Sequence, residues 1–320
     1  PSESRGSLMQ KEMQMEIKKD EYKQMHIDGN TSVCGLIGNP VAHTLSPDIH
    51  NTLAEKMGQN LVYVPFQVDD GKLENAVKGA DALSILGCNV TVPYKSDVIH
   101  FLNGIDALAE KIGAVNTLVR NPDGGYKGYN TDMLGLERAL DLVGIKIHGE
   151  DIVILGAGGA ARAVSYLCAV RGASHIFQLN RNYEKAAAVA DEINGETCRE
   201  VVKPMRLDDH GLLPDKKMTV IQATSVGLSP HDGDVVISDD AFYGKIKDAF
   251  DLIYRPSETT FMKLAKSHGA RAFNGLRMLV CQGVISYELW NDIKVDDETT
   301  DEIYNMLEEK LARQCEFARK

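Results

Sequence analysis

The sequence predicts an α/β protein built as two domains, and three observations carry that prediction. A chain of 320 residues has room for two domains of ordinary size, each with a buried core. Short apolar, strand-like runs alternate with helix-like stretches along most of it, the pattern of a mostly parallel sheet covered by helices. The alternation also comes in two blocks, the second starting near Asp132.

The first block begins at Val33-Cys34-Gly35-Leu36-Ile37-Gly38, read as a buried strand ending in a loop. Ser46-Pro47 opens a helix, with Ser46 suited to the N-cap and Pro47 to the first helical position, where a missing N–H costs nothing. Leu61–Val68 reads as a strand, Lys72–Val77 as helix and Ser84–Val92 as a strand ended by Pro93. In the second block, helix Leu134–Val143 leads to strand Asp151–Leu155, a glycine loop, helix Ala160–Val170 and strand Ser174–Leu179. Helix Tyr183–Ile193 and strands Met218–Gln222 and Ala249–Ile253 follow, and beyond Gly275 the chain is helical. Ile303, Met306, Leu307 and Leu311 fall on one stripe of the last helix. Residues 1–26 are set apart as an N-terminal extension or tag, with an exposed helical arm over 9–26.

Composition narrows the function. Apolar types at 43% and charged types at 25% are ordinary globular values. A net charge of −11 disfavours nucleic acid and anionic membranes, since polyphosphate is repelled, and leaves a small molecule as the expected partner. The six cysteines (Cys34, Cys88, Cys168, Cys198, Cys281, Cys315) form no CxxC pair, so neither a zinc site nor a disulfide framework is expected, and a cytoplasmic location fits. No apolar run reaches the roughly 18–20 residues of a membrane span.

The strongest local signal is Ile152-Val153-Ile154-Leu155-Gly156-Ala157-Gly158-Gly159-Ala160-Ala161, an apolar strand running into a glycine turn and a helix. Gly156 permits the tight turn, Gly158 lets backbone N–H groups approach a pyrophosphate, and Gly159, Ala160 and Ala161 keep the helix close to the strand. Ala161 takes the last glycine place of the dinucleotide-binding pattern, an accepted variant. The expected unit is a Rossmann-type nucleotide domain; the plainer alternative is a tight turn with no ligand. At the end of the next strand stand Asn180 and Arg181, with Lys185 one turn on, where an NAD site would carry a carboxylate. Arginine can stack on adenine and bond a 2′-phosphate, so the expected cofactor is NADP. The competing reading makes Arg181 and Lys185 solvated surface cations.

Four further segments place polar residues where a strand hands over to a loop, the edge at which open α/β sheets bind ligands. They are Gly38–Pro47, Asn89–Lys95, Gly113–Thr117 and Gly128–Asp132. Together they offer hydroxyls, amides, one lysine and one carboxylate without a metal cluster, an inventory suited to a small polyhydroxylated acid. For single residues the plain readings stay open: Asp132 as a first-turn acid favoured by the helix dipole, Lys95 as a loop cation, Asn89 and Asn116 as turn amides.

From about Val33 to Trp290 the chain resembles the shikimate dehydrogenase family, with these segments in family order. Ala223–Gly227, Asp251–Pro256 and Asn274–Gly283 are similar to its later signatures. The resemblance implies NADP-dependent reduction of 3-dehydroshikimate to shikimate in aromatic amino-acid biosynthesis, with a quinate/shikimate dehydrogenase able to use NAD or NADP as the alternative. It implies Lys95 and Asp132 as the catalytic pair. It implies Thr44 and Ser46 on the substrate carboxylate, Asn89, Thr91, Asn116 and Gln282 on ring hydroxyls, and Tyr254 in the same pocket. The family usually carries serine at the place of Thr44, a departure that bears on pocket width. Thr224 and Gly275 join Gly156, Ala157, Gly158, Gly159, Ala160, Asn180, Arg181 and Lys185 as implied cofactor contacts. The expected architecture is two α/β domains flanking a cleft: a substrate-binding domain of 27–131 plus 275–320 with a mixed, mostly parallel sheet, and a nucleotide domain of 132–274. The expected assembly is a monomer or homodimer.

Overall fold

A computed structural model describes residues 27–228 and 231–318, so the helical arm expected over 9–26 lies outside the described residues. Two six-stranded sheets organise the chain. The first is built from β1 (Ser32–Gly38), β2 (Leu61–Gln67), β3 (Gly87–Val90), β4 (Gly104–Ile105), β5 (Thr117–Arg120) and β6 (Tyr126–Tyr129) in the order β2-β1-β3-β5-β6-β4. β5 runs antiparallel to both β3 and β6, while the other pairs are parallel, so this sheet is mixed. The second holds β7 (Asp151–Leu155), β8 (His175–Asn180), β9 (Val202–Arg206), β10 (Met218–Gln222), β11 (Ile246–Asp251) and β12 (Arg271–Phe273) in the order β12-β11-β10-β7-β8-β9, parallel throughout.

The helices are α1 (Ser46–Lys56), α2 (Leu73–Ala82), α3 (Ala107–Ile112), α4 (Thr131–Leu142), α5 (Gly159–Val170), α6 (Tyr183–Thr197), α7 (Asp240–Tyr243), α8 (Thr260–Ser267), α9 (Leu276–Asn291) and α10 (Asp297–Ala318). None of them is long and apolar enough to cross a membrane.

β7 shows why a near-continuous apolar run makes a central strand. All five residues are buried; Ile152 and Ile154 join the core on one face, Val153 and Leu155 the core on the other. The first sheet is sandwiched likewise. Cys34 and Leu36 of β1 face a core that includes Leu276, Val280, Val284, Tyr287 and Trp290 of α9 and Ile303, Leu307 and Leu311 of α10. Ile37 faces the opposite core with Val77 of α2 and Ala109 of α3. The C-terminal helices therefore return to the sheet that the N-terminal half builds.

Three local expectations are corrected. Leu45, not Ser46, is the N-cap of α1; Ser46 and Pro47 occupy its first helical positions, and Thr44 Oγ1 accepts the Ser46 N–H at 3.1 Å. Met306 leaves the buried stripe of α10 and is 37% exposed, because the covered face is narrower than the apolar pattern. The strand expected over Ser84–Val92 forms only at Gly87–Val90, since Ser84 adopts a positive φ of 56° that breaks the extension.

Candidate active site

The C-terminal ends of β1 and β3 and the loop after β11 converge on a cavity of about 270 Å³. Thr44 and Ser46 reach it from the start of α1, Asn89 from β3, Thr91 and Lys95 from the following loop, and Asn116 from the residue before β5. Asp132 enters from the first turn of α4, Tyr254 from the loop after β11 and Gln282 from α9. The structure thus gathers all nine residues expected at the substrate and catalytic positions around one space.

Lys95 Nζ donates to Asp132 Oδ2 at 2.7 Å, with both side chains about one-third exposed at 33% and 30%. Local structure fixes both ends of this pair. The Lys95 carbonyl accepts the Val115 N–H at 2.8 Å, and the hydroxyl of buried Tyr94 bonds the Val68 carbonyl at 2.7 Å. Asn130 caps α4 by accepting the Met133 N–H at 3.3 Å and donates to the Ala114 carbonyl at 3.0 Å. Asp132 therefore sits on an anchored first turn, where an acid is also favoured by the helix dipole.

Behind the cavity lies a buried polar network that sequence reasoning missed. Asn89 Oδ1 accepts from Tyr63 Oη at 2.9 Å and contacts His50 Nε2 at 3.1 Å. Asn89 Nδ2 faces Thr117 Oγ1 at 3.1 Å, Ser286 Oγ at 3.0 Å and the Asn116 carbonyl at 3.3 Å. The hydroxyls of Thr117, Thr131 and Ser286 lie 2.9–3.1 Å from one another. Burial drives His50 down to about 3, although its bond to Asn89 opposes the shift, so its ring is neutral at pH 7. Burial likewise raises the Tyr63 hydroxyl, keeping it a donor.

This network separates two asparagines that look alike in sequence. Asn89 has its amide saturated by protein partners. Asn116 Oδ1 accepts from the Thr131 N–H at 2.7 Å and from two hydroxyls at 3.1 Å, and its Nδ2 has no partner among the described residues. Gln282 spends its Nε2 on the Leu279 carbonyl at 2.8 Å and keeps its oxygen. Asn116 and Gln282 thus each present a free amide end. The signals for the missed residues were slight: Ser286 follows Gln282 by one helical turn, and Thr131 adjoins Asp132.

A second cavity of about 360 Å³ is lined by Gly156, Asn180, Arg181, Leu207, Thr224, Val226, Val235 and Val236. Gly156 has φ +114°, and a Cβ there would sit 2.9 Å from both the Ala223 carbonyl and Thr224 Cγ2, so the turn requires glycine. Exposed Gly158, Gly159 and Ala160 follow half-buried Ala157 at the start of α5, whose N-terminus has no side-chain cap. A Cβ on Gly158 or Gly159 would meet only open space, and α5's first N–H groups take no side-chain cap among the described residues, which suits them to an anion. The Arg181 side chain is exposed and makes no hydrogen bond or ion pair among the described residues. A dinucleotide with an extra phosphate fits these donors.

Lys185 does not line this cavity; it is exposed, and its backbone N–H takes the Asn182 cap at 2.8 Å. Gly275 does not line it either. Its N–H bonds the Ile253 carbonyl at 3.0 Å, and a Cβ there would collide with the Leu252 carbonyl at 2.1 Å. Gln178, absent from the expected set, ties the glycine loop to β8 by bonding the Gly156 carbonyl and the Ser165 hydroxyl.

Comparison with known proteins agrees with this geometry. Residues 36–118 match the shikimate dehydrogenase substrate binding domain, and residues 275–302 match the shikimate 5′-dehydrogenase C-terminal domain. A shikimate dehydrogenase (NADP(+)) of Caldanaerobacter subterraneus subsp. tengcongensis is 44% identical over 83% of this chain and 94% of that protein. A shikimate dehydrogenase solved in complex with NADP+ superimposes with a TM-score of 0.78 at 37% identity, covering 88% of this chain and 97% of the other. The Listeria monocytogenes shikimate 5-dehydrogenase, solved with shikimate and NAD, gives 0.81 at 32% identity over 89% and 99% of the two chains. With an ion pair, a polyol-sized polar cavity and a nucleotide turn already in place, these likenesses settle kinship: the chain belongs to the shikimate dehydrogenase family.

Proposed function

We propose that the protein catalyses the NADP-linked interconversion of 3-dehydroshikimate and shikimate, with Lys95 and Asp132 as its catalytic pair. The observation that carries this reading is their 2.7 Å contact on the wall of a cavity whose other sides combine hydroxyls and amides with apolar residues such as Leu36, Val41 and Leu279. Thr44 and Ser46, bonded to each other at 3.0 Å at the N-terminus of α1, take the substrate carboxylate where the helix dipole favours an anion. The free amide ends of Asn116 and Gln282 read ring hydroxyls, and a substrate lacking those groups leaves them unsatisfied. NADPH, when bound, supplies the hydride for the ring carbonyl. Lys95 stabilises the oxygen as negative charge develops and gives it a proton. Asp132 aims the ammonium and has a second oxygen for a neighbouring hydroxyl.

The cofactor reading rests on the uncapped start of α5 at Gly158 and Gly159 for the pyrophosphate, and on the unpaired Arg181 beside Asn180 for the 2′-phosphate. Residues 27–131 with 275–320 serve as the substrate domain and 132–274 as the nucleotide domain. Cys34, Cys88, Cys168 and Cys281 are buried free thiols and Cys198 an exposed one, which supports a reducing, cytoplasmic setting.

The test is a rate matrix of shikimate and quinate against NADP and NAD. Shikimate with NADP should be the fastest pair, and faster turnover of quinate or with NAD overturns the assignment. Lys95→Ala should lower kcat by roughly 10²–10⁴-fold while nucleotide affinity stays unchanged; retained turnover removes Lys95 from its role.

A further inference from the structure

The loop of residues 252–258, between β11 and α8, carries Tyr254 into the wall of the substrate cavity. A single side chain closes its neck. Asp251, the last residue of β11, is buried; its Oδ1 accepts the Ile253 N–H at 3.0 Å and its Oδ2 accepts the Thr259 hydroxyl at 2.6 Å. Thr259 is the N-cap of α8, where its oxygen accepts the Met262 N–H at 3.3 Å. Both donors at the neck therefore point at residue 251, and each is met by a different oxygen of its carboxylate.

Glu258 pairs with Lys266 at 2.7 Å and Arg271 with Asp248 at 2.6 Å, while Arg255, whose buried Nε has no hydrogen-bond partner among the described residues, lies over the Tyr254 ring at 6.0 Å. Among the described residues no cation lies within ion-pair distance of Asp251, and burial pushes its carboxyl up to about 6. A buried carboxylate without a counter-charge weakens a fold, so its presence calls for a reason other than stability.

We propose that Asp251 is a positioning residue, which cinches the 252–258 loop through the Ile253 N–H and the Thr259 hydroxyl so that Tyr254 is held in the cavity wall. This rests on the reading of that cavity as the shikimate site.

Two near-isosteric variants test it. Asp251→Asn keeps the acceptor for Ile253 but loses the one for Thr259; Thr259→Val removes the donor from the other side. Each should raise KM for shikimate about tenfold, the equivalent of roughly 1.4 kcal/mol, with kcat and KM for NADP little changed. The double variant should be no worse than either single one, and adding Tyr254→Phe should cost little more, since all act through one contact chain. An unchanged shikimate KM in folded variants overturns the proposal. So does a parallel rise in KM for NADP, or strict additivity with Tyr254→Phe. Should Asp251→Asn fail to fold, Thr259→Val decides alone. A wild-type enzyme inactive with shikimate and NADP in the same assay would instead sink the functional reading beneath it.

Discussion

At the scale of single residues, charge and hydrogen-bond valence decide what each side chain can do. Arg181 lines the nucleotide cavity without a partner among the described residues, which leaves its guanidinium available to a phosphate. A charge-assisted bond contributes about 1.5–3 kcal/mol. Arg181→Ala should therefore raise KM for NADP by roughly ten- to a hundredfold and KM for NAD far less, as initial rates with both nucleotides will show; a merely solvated cation would alter neither. Asp251 makes a prediction about pH. Its carboxyl binds a proton more tightly in the folded protein, at about 6, than at its ordinary value of 3.8. The sign follows: the stabilisation is present when the group is protonated and is lost as pH rises through about 6. Between about pH 3 and 7 the wild type should lose about 3 kcal/mol relative to Asp251→Asn, measured by urea unfolding of both. His50 titrates in the opposite sense, since its neutral folded form weakens the fold as pH falls below 6.5, so the difference between the two proteins isolates Asp251. Much of the cavity wall was legible because Thr44, Asn89, Lys95, Asn116 and Asp132 stand where apolar runs stop. Asp251 and Ser286 were not singled out, because a buried polar residue declares its role only through partners far away in sequence.

At the scale of elements, the crossing of α4 and α9 sets the site. Gly135 of α4 lies so close to α9 that a Cβ would sit 2.6 Å from the Gln282 nitrogen and 2.8 Å from its Cα. Gly135→Ala should push these backbones apart, at a cost of about 1–3 kcal/mol. Because α4 carries Asp132 and α9 carries Gln282, a thermal melt and a shikimate titration should report the damage together. β7, β10 and the start of α6 fall where the apolar pattern puts them, since a fully buried strand or a capped helix writes itself locally. The hairpin β5–β6 and the edge strand β9 do not. Tyr126-Lys127-Gly128-Tyr129 is too short and too polar for a period to emerge, and Val202-Lys203-Pro204-Met205-Arg206 contains a proline that only an edge position tolerates.

At the scale of the whole molecule, two sheets are joined by helices that belong to both. Met133, Leu136, Ala139 and Leu140 of α4 and Cys281 of α9 share a core with β7 and α5, while Val280, Val284 and Tyr287 of α9 cover the first sheet. Arg162 on α5 adds a polar strap, donating to the carbonyls of Ile112 at 2.7 Å and Lys111 at 3.3 Å at the end of α3 while paired with Glu192. The return of α9 and α10 to the first sheet has a consequence for biosynthesis. A ribosome releases the N-terminal strands early, yet one side of them stays wet until residues 276–311 have left the exit tunnel. Strands β7–β12 meet their sheet neighbours within a much shorter delay. Protease challenge of stalled nascent chains should accordingly find resistance at β7–β12 first, with β1–β3 protected only after residues 276–311 have emerged.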